Sequence, residues 1–311
     1  MASWATAPLT TDLSVRHKTV PDASDTYEEV VKLLRRTNPK ALVGRYLSGG
    51  RVESTMKQYP QEAIRASQVP NEWLWSATNR VDLSNPKAAD LFADLIIAQS
   101  IKPISQLVFL DNIVHPSMLR GWAPWEDTCR FLHRIKHGVN KNASLLMANI
   151  AVAPFAMPDG EAKLLSEAVD GMSFEMPFHR HARGDRKRTR SLIAVYRTWL
   201  SAGRIVVFIP VVHALKTVPK EARESEQVRE MRFLAGFAML IRNPGDRLFV
   251  ASPFWRPEPD WAHWPQSCGN PLEEWRFEDD HVLVRRFENY TLKIDTQTRT
   301  VDRMLRWVRQ P

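Results

Sequence analysis

The sequence predicts an α/β fold, a (β/α)8 TIM barrel with a C-terminal β-hairpin, and three observations carry that reading. Short apolar runs rich in Val, Ile, Leu and Phe recur along the chain, as parallel strands buried on both faces require. Helical patterns separate them, which implies right-handed crossovers and a parallel sheet. The length, 311 residues, accommodates one barrel of about 250 residues plus tails.

Residues 1–25 are small, polar and Pro-containing, and read as a flexible N-terminal segment. From 26 to 311 the chain reads as a single barrel domain that includes a hairpin at about 282–295. A first helix is expected over Thr26–Arg36, with Ser24 or Asp25 as its cap. Strands are expected over Ala41–Leu47, Glu72–Thr78, Gln106–Asn112, Ser144–Ile150, Gly171–Pro177, Arg204–Pro210 and Arg247–Pro253. The eighth is left to Trp255–Pro271 or to the terminal segment. One helix opens at Pro86, with Ser84 or Asn85 as N-cap. Others are expected over Ala123–His137, Asp159–Ala168, Arg186–Ala202 and Ser225–Ile241. Val282–Asp295 alternates with period two around Glu288-Asn289, a hairpin in which Asn289 suits the left-handed turn position.

The net charge of +8 favours anionic partners, without choosing among acidic polysaccharide, headgroups and nucleic acid. Much of it lies in His179–Arg190, either a solvated loop entering a helix or a basic rim for an anionic substrate. Cys129 and Cys268 are the only cysteines; they build no disulfide framework and are expected as free thiols. No run reaches the ~20 apolar residues of a membrane span. The first residues lack the basic start and apolar centre of a signal peptide. The protein is then cytoplasmic as written, or secreted or periplasmic if a leader was removed. No P-loop, dinucleotide fingerprint or zinc-helix motif occurs, so no cofactor is expected.

Two acids stand out. Asp111 and Glu175 each end an apolar strand-like run, and an acid at the carboxyl end of a parallel strand faces the functional side of a barrel. Two such carboxyls facing one pocket are the minimum equipment for cleaving a glycosidic bond: one protonates the leaving oxygen, the other attacks or activates water. Met176 and Phe178 beside Glu175 suit it to the acid role, and Asn112 and His115 beside Asp111 suit that residue to the ionised role; the assignment is reversible.

Around this pair, Tyr46, Asn112, His115, Asn149 and His179 are candidate sugar contacts. Asn149 suits a sugar hydroxyl, the orientation of Asp111 or a turn. Eleven tryptophans supply stacking plates. Trp73 and Trp75 share one side of a strand and read as core, whereas Trp122, Trp125 and Trp255 fall in expected loops on the catalytic face and read as substrate-binding. His179-Arg-His181 has the spacing of a metal pair, but only His213 follows on later strands, so no metal is expected.

The chain resembles the bacterial TIM-barrel glycoside-hydrolase-like proteins of hypothetical group fifteen and, more distantly, the endo-α-1,4-polygalactosaminidase barrels. Five stretches carry the resemblance: Val81-Asp-Leu-Ser-Asn-Pro86, Val108-Phe-Leu-Asp111-Asn112, Leu146-Met-Ala-Asn149, Asp170-Gly-Met-Ser-Phe-Glu175 and Arg285-Arg-Phe-Glu-Asn289. It departs at Tyr290, where the family tends to Gly, and at Ile294-Asp295, where it tends to Asn-Pro. The resemblance implies a hydrolase of poly- or oligosaccharides acting through Asp111 and Glu175. A carbohydrate-binding barrel without catalysis and a basic nucleic-acid binder centred on Arg180–Arg190 are the alternatives.

Overall fold

The computed structural model describes residues 44–48, 74–75, 80–100, 106–116, 123–152, 154–175, 177–178, 182–209, 223–250 and 269–305. These form two compact units, one of residues 44–152 with 158–173, the other of 154–157 with 174–305.

The first unit is built on parallel strands. β1 (Gly44–Ser48) pairs with the strand at Leu107–Val114, Ser48 standing opposite Asp111. The expected second strand is corrected. Of Glu72–Thr78 the described residues are β2 (Leu74–Trp75), which pairs antiparallel with β3 (Arg80–Val81). These runs are four residues apart, a local return; a parallel partner requires a crossover of about a dozen residues or more. The Leu107–Val114 strand, β4, therefore lies directly beside β1.

α1 (Pro86–Ser100) precedes β4. Its cap is Asn85, whose Oδ1 accepts from the amides of Lys87 (3.1 Å) and Ala88 (3.4 Å). Ser84 donates to Asp82 instead. α2 (Trp125–Asn140) buries Thr128, Phe131, Leu132, Ile135 and Val139, a stripe at helical spacing. It packs on α1 through Phe92 and Phe131, whose rings stack at 6.3 Å. β5 (Leu145–Ala151) runs parallel to β4. α3 (Asp159–Ala168) has the expected bounds and leads to β6 (Gly171–Phe174), parallel to β5. Asp170, just before β6, accepts from the Leu146 amide at 2.9 Å and so ties β5 to the approach of β6.

In the second unit, α4 (Arg186–Ser201) is capped by Asp185, which accepts from the Arg188 amide at 2.9 Å. β7 (Ile205–Phe208), α5 (Arg223–Ile241) and β8 (Leu248–Val250) follow, β7 and β8 being parallel. The core is aromatic: Phe174 stacks on Trp199 at 5.1 Å, and Phe178 meets Phe233 and Phe237 edge-on at 5.0 and 5.1 Å.

The expected hairpin is the centre of a four-stranded antiparallel sheet. β9 (Arg276–Phe277), β10 (Val282–Arg286), β11 (Tyr290–Asp295) and β12 (Thr300–Leu305) lie in the order β12-β11-β10-β9. Asn289 is not left-handed; the positive φ in this sheet is that of Arg299, 61°, in the turn before β12. Phe287 and Tyr290 close the Glu288-Asn289 turn through a 2.8 Å backbone bond. Pro271, at the end of the Trp255–Pro271 segment, bridges antiparallel to Phe287; residues 255–268 of that segment, and the expected helix at Thr26–Arg36, lie outside the described residues. The described strands thus make a mixed α/β protein with a parallel sheet. Among the described residues no helix is long and apolar enough to cross a membrane.

Candidate functional site

The site begins with an irregularity in β4. The run Leu107–Leu110 is buried on both sides of the strand. The strand then continues two residues beyond the expected end, so Asp111 lies inside it. Between the pairs Leu110–Ala148 and Ile113–Ile150, β4 advances three residues while β5 advances two. The extra residue is a β-bulge, a device that bends a strand and re-aims its side chains.

Asp111 is half-buried at this bulge, where a carboxyl group needs partners. Asn149 of β5 provides one: its Nδ2 donates to Asp111 Oδ1 at 2.9 Å. Asn149 is itself 8% exposed, and its Oδ1 accepts from Ser173 Oγ at 3.2 Å. Ser173 stands opposite Asn149 in the β5–β6 register, as Ser48 stands opposite Asp111. Polar residues thus form a row across four neighbouring strands, in the carboxyl-terminal half of each, the side on which parallel α/β sheets build their sites. The sequence points to Asp111 and Asn149 as candidates and gives no expectation for Ser173, which the structure joins to Asn149. The available signal was a lone hydroxyl in an apolar strand, since a buried hydroxyl requires a partner.

Glu175 is the residue after β6, belongs to the second unit, and is exposed. Of the expected wall beside it, Met176 lies outside the described residues, and Phe178 is corrected: it is 2% exposed and turned into the aromatic core.

His115 and Trp125 are also placed differently from expectation. Trp125 is not in a loop but is the first residue of α2, 2% exposed. Its Nε1 donates to the Glu161 carbonyl at 3.2 Å, and its ring meets His115 edge-on at 4.7 Å. His115, 5% exposed, pairs through Nε2 with Glu161 Oε2 at 2.8 Å. The two rings join the end of β4 to the starts of α2 and α3, and an indole buried to that degree offers no face for stacking a sugar. Cys129 lies nearby, free and buried; burial first, then Glu126 and Glu161, push its thiol up to about 12. It remains protonated and unreactive at neutral pH.

The side chains of Tyr46 and Asn112, and all of Trp122, His179, Trp255 and Cys268, lie outside the described residues. Of the basic run, Arg186 and Arg190 lie over the Phe277 ring at 5.0 and 5.7 Å, and Arg188 lies over Phe155 at 5.6 Å. These cations pack on rings at the start of α4, as a run entering a helix does. Among the described residues no group of three or more His, Cys, Asp or Glu side chains is gathered as metal ligands would be.

No family model matches the chain, and no curated protein is similar to it in sequence. Among solved structures, Ega3 of Aspergillus fumigatus in complex with galactosamine superposes with a TM-score of 0.46 at 10% identity, covering 72% of this chain and 79% of that one. The spore cortex-lytic enzyme SleL of Bacillus megaterium gives 0.41 at 10% identity over 73% of this chain and 58% of its own. A glucosidase from Croceicoccus marinus gives 0.39 at 10% identity over 88% and 60%. The chain spans less than two thirds of the length of the last two.

Proposed function

We propose that this chain is a glycoside hydrolase in which Asp111 and Glu175 cleave a poly- or oligosaccharide without a cofactor. On this reading residues 26–311 form one catalytic (β/α)8 barrel. Glu175 protonates the leaving oxygen, and Asp111 acts ionised, as nucleophile or as base for water. One observation carries the reading: Asp111 sits at a bulge within a parallel sheet with a built-in amide donor, Asn149, fixing its carboxylate. Structural acids inside a sheet have no need of a strand distortion, whereas bulges are enriched beside active sites. The net charge of +8 favours an anionic glycan.

The test is incubation of the full chain with acidic and neutral bacterial glycans, reading released reducing ends. Glu175→Gln and Asp111→Asn should each abolish release while circular dichroism and the unfolding midpoint stay near those of the parent. Full activity in either variant removes the mechanism. Glycan binding without turnover over long incubation leaves a carbohydrate-binding protein in place of an enzyme.

A further inference from the structure

We propose that the hydroxyl of Ser173 is a positioning device for Asp111, acting through the amide of Asn149; the inference rests on the hydrolase reading above. Ser173 is 0% exposed in a strand whose other members are Gly171, Met172 and Phe174. A hydroxyl costs stability there unless it is hydrogen-bonded. The polarity of the chain of bonds follows from chemistry. An ionised carboxylate only accepts, so Asn149 must turn Nδ2 toward Asp111, at 2.9 Å. That leaves Oδ1 facing Ser173, whose Oγ donates to it at 3.2 Å. The amide is held at both ends and has one orientation.

The bulge explains why such a device is required. The pairing of β4 with β5 slips between Leu110 and Ile113, so on its β5 side Asp111 is not located by register as Leu107–Leu110 are, although β1 still pairs Ser48 with it. A lateral tie from β5, itself tied to β6, supplies the missing constraint. Misplacing a reacting group by about 1 Å costs about 100-fold in rate, so a tie of this kind acts on kcat. Nothing in the geometry puts Ser173 on substrate: it is buried, and it meets Asn149 rather than open space.

The experiment compares Ser173→Ala, Ser173→Val and Ser173→Thr. Thr and Val have the same shape and differ in the hydroxyl, while Ala adds no volume to the buried site. With a cleaved glycan in hand, Ala and Val should lower kcat about 10-fold with KM within about twofold, and Thr should restore most of the loss. A second readout needs no substrate. Hydrogen exchange at the Asn149 side-chain amide, followed by NMR, should speed up about 10-fold in Ala and Val and stay near the parental rate in Thr. Equal exchange in all four proteins overturns the proposal whatever the activity. Equal loss of kcat in Thr and Val overturns the role of the hydroxyl. If the parent cleaves no glycan while exchange follows the expected pattern, the hold on Asp111 is supported and the hydrolase reading is what fails.

Discussion

Arg285 closes the carboxyl end of α5: its Nη1 donates to the carbonyl of Leu240 at 2.7 Å. The same Nη1 reaches the Arg242 carbonyl at 2.7 Å, Nη2 reaches Asn243 Oδ1 at 2.6 Å, and Nε reaches the Glu273 carbonyl at 3.0 Å. The side chain is 2% exposed. A helix leaves its last carbonyls without partners, and a cation there also complements the macrodipole. Arg285 thus joins β10 to α5. Arg285→Met should lower unfolding free energy by about 3 kcal/mol, because hydrogen bonds to a charged group are worth about 1.5–3 kcal/mol and several are lost. Arg285→Lys should recover little, since an ammonium cannot reproduce the planar fork. Urea midpoints at constant m-value measure both; a Met variant within 0.5 kcal/mol (about the noise of additivity) contradicts the role.

Trp125 provides a test of buried against substrate-facing aromatics. It is enclosed by α2, His115 and Glu161. Trp125→Phe removes the indole N–H and part of the packing, and should destabilise by about 1–3 kcal/mol. It should leave KM for any cleaved glycan unchanged. A rise in KM without loss of stability would return Trp125 to the substrate.

Local signals were legible and lateral ones were not. The helix at Asp159–Ala168 and the choice of Ser84 or Asn85 as a cap follow from residues within a turn of one another, so periodicity and side-chain chemistry reach that far, and the structure selects Asn85. The apolar run at Glu72–Thr78 suits a parallel or an antiparallel partner equally, and for Leu74–Trp75 the partner is settled by the short return to Arg80. Asp111 and Asn149 were visible as polar residues in apolar runs. Their bond is one of three readings the sequence leaves open, because it depends on a bulge that arises only when β4 is laid against β5. Ser173 was missed for the same reason: its partner is set by cross-strand register. Loop position and strand exit point Trp125 and Phe178 toward a pocket, but aromatic residues bury large areas and go to cores as readily as to subsites.

Cys129 predicts a pH effect with a definite sign. Its thiol is raised from 9.0 to about 12 by burial, with Glu126 and Glu161 adding to the shift. The folded state therefore holds this proton where the unfolded chain releases it. The contribution is fully present below pH 9 and is lost as pH rises toward 12. Cys129→Ala should flatten the alkaline fall in stability relative to the parent. Peptide mapping after iodoacetamide at pH 8 should find Cys129 unmodified in native protein and alkylated in urea. Rapid labelling of the native thiol would contradict its burial.

The crossing of α1 and α2 yields a prediction in which two opposed effects can be weighed. Gly138 lies in the last turns of α2, where alanine is favoured over glycine by about 1 kcal/mol in helix propensity. A Cβ at this position would overlap the Cδ1 and Cγ1 atoms of Ile97 on α1. The overlap takes in Cγ1 as well as Cδ1, with Cγ2 at 3.0 Å, so it is not confined to the tip of the Ile97 side chain. Overpacking of this kind costs about 1–3 kcal/mol, which exceeds the propensity gain. Gly138→Ala should therefore destabilise. Ile97→Ala alone should also destabilise, by leaving space between the helices. The double variant should be more stable than the two losses added together, because each change relieves the other. Equilibrium unfolding of all four proteins closes the cycle. A coupling energy of zero would mean that the helices separate to admit the methyl group, and that Gly138 is not what sets their distance.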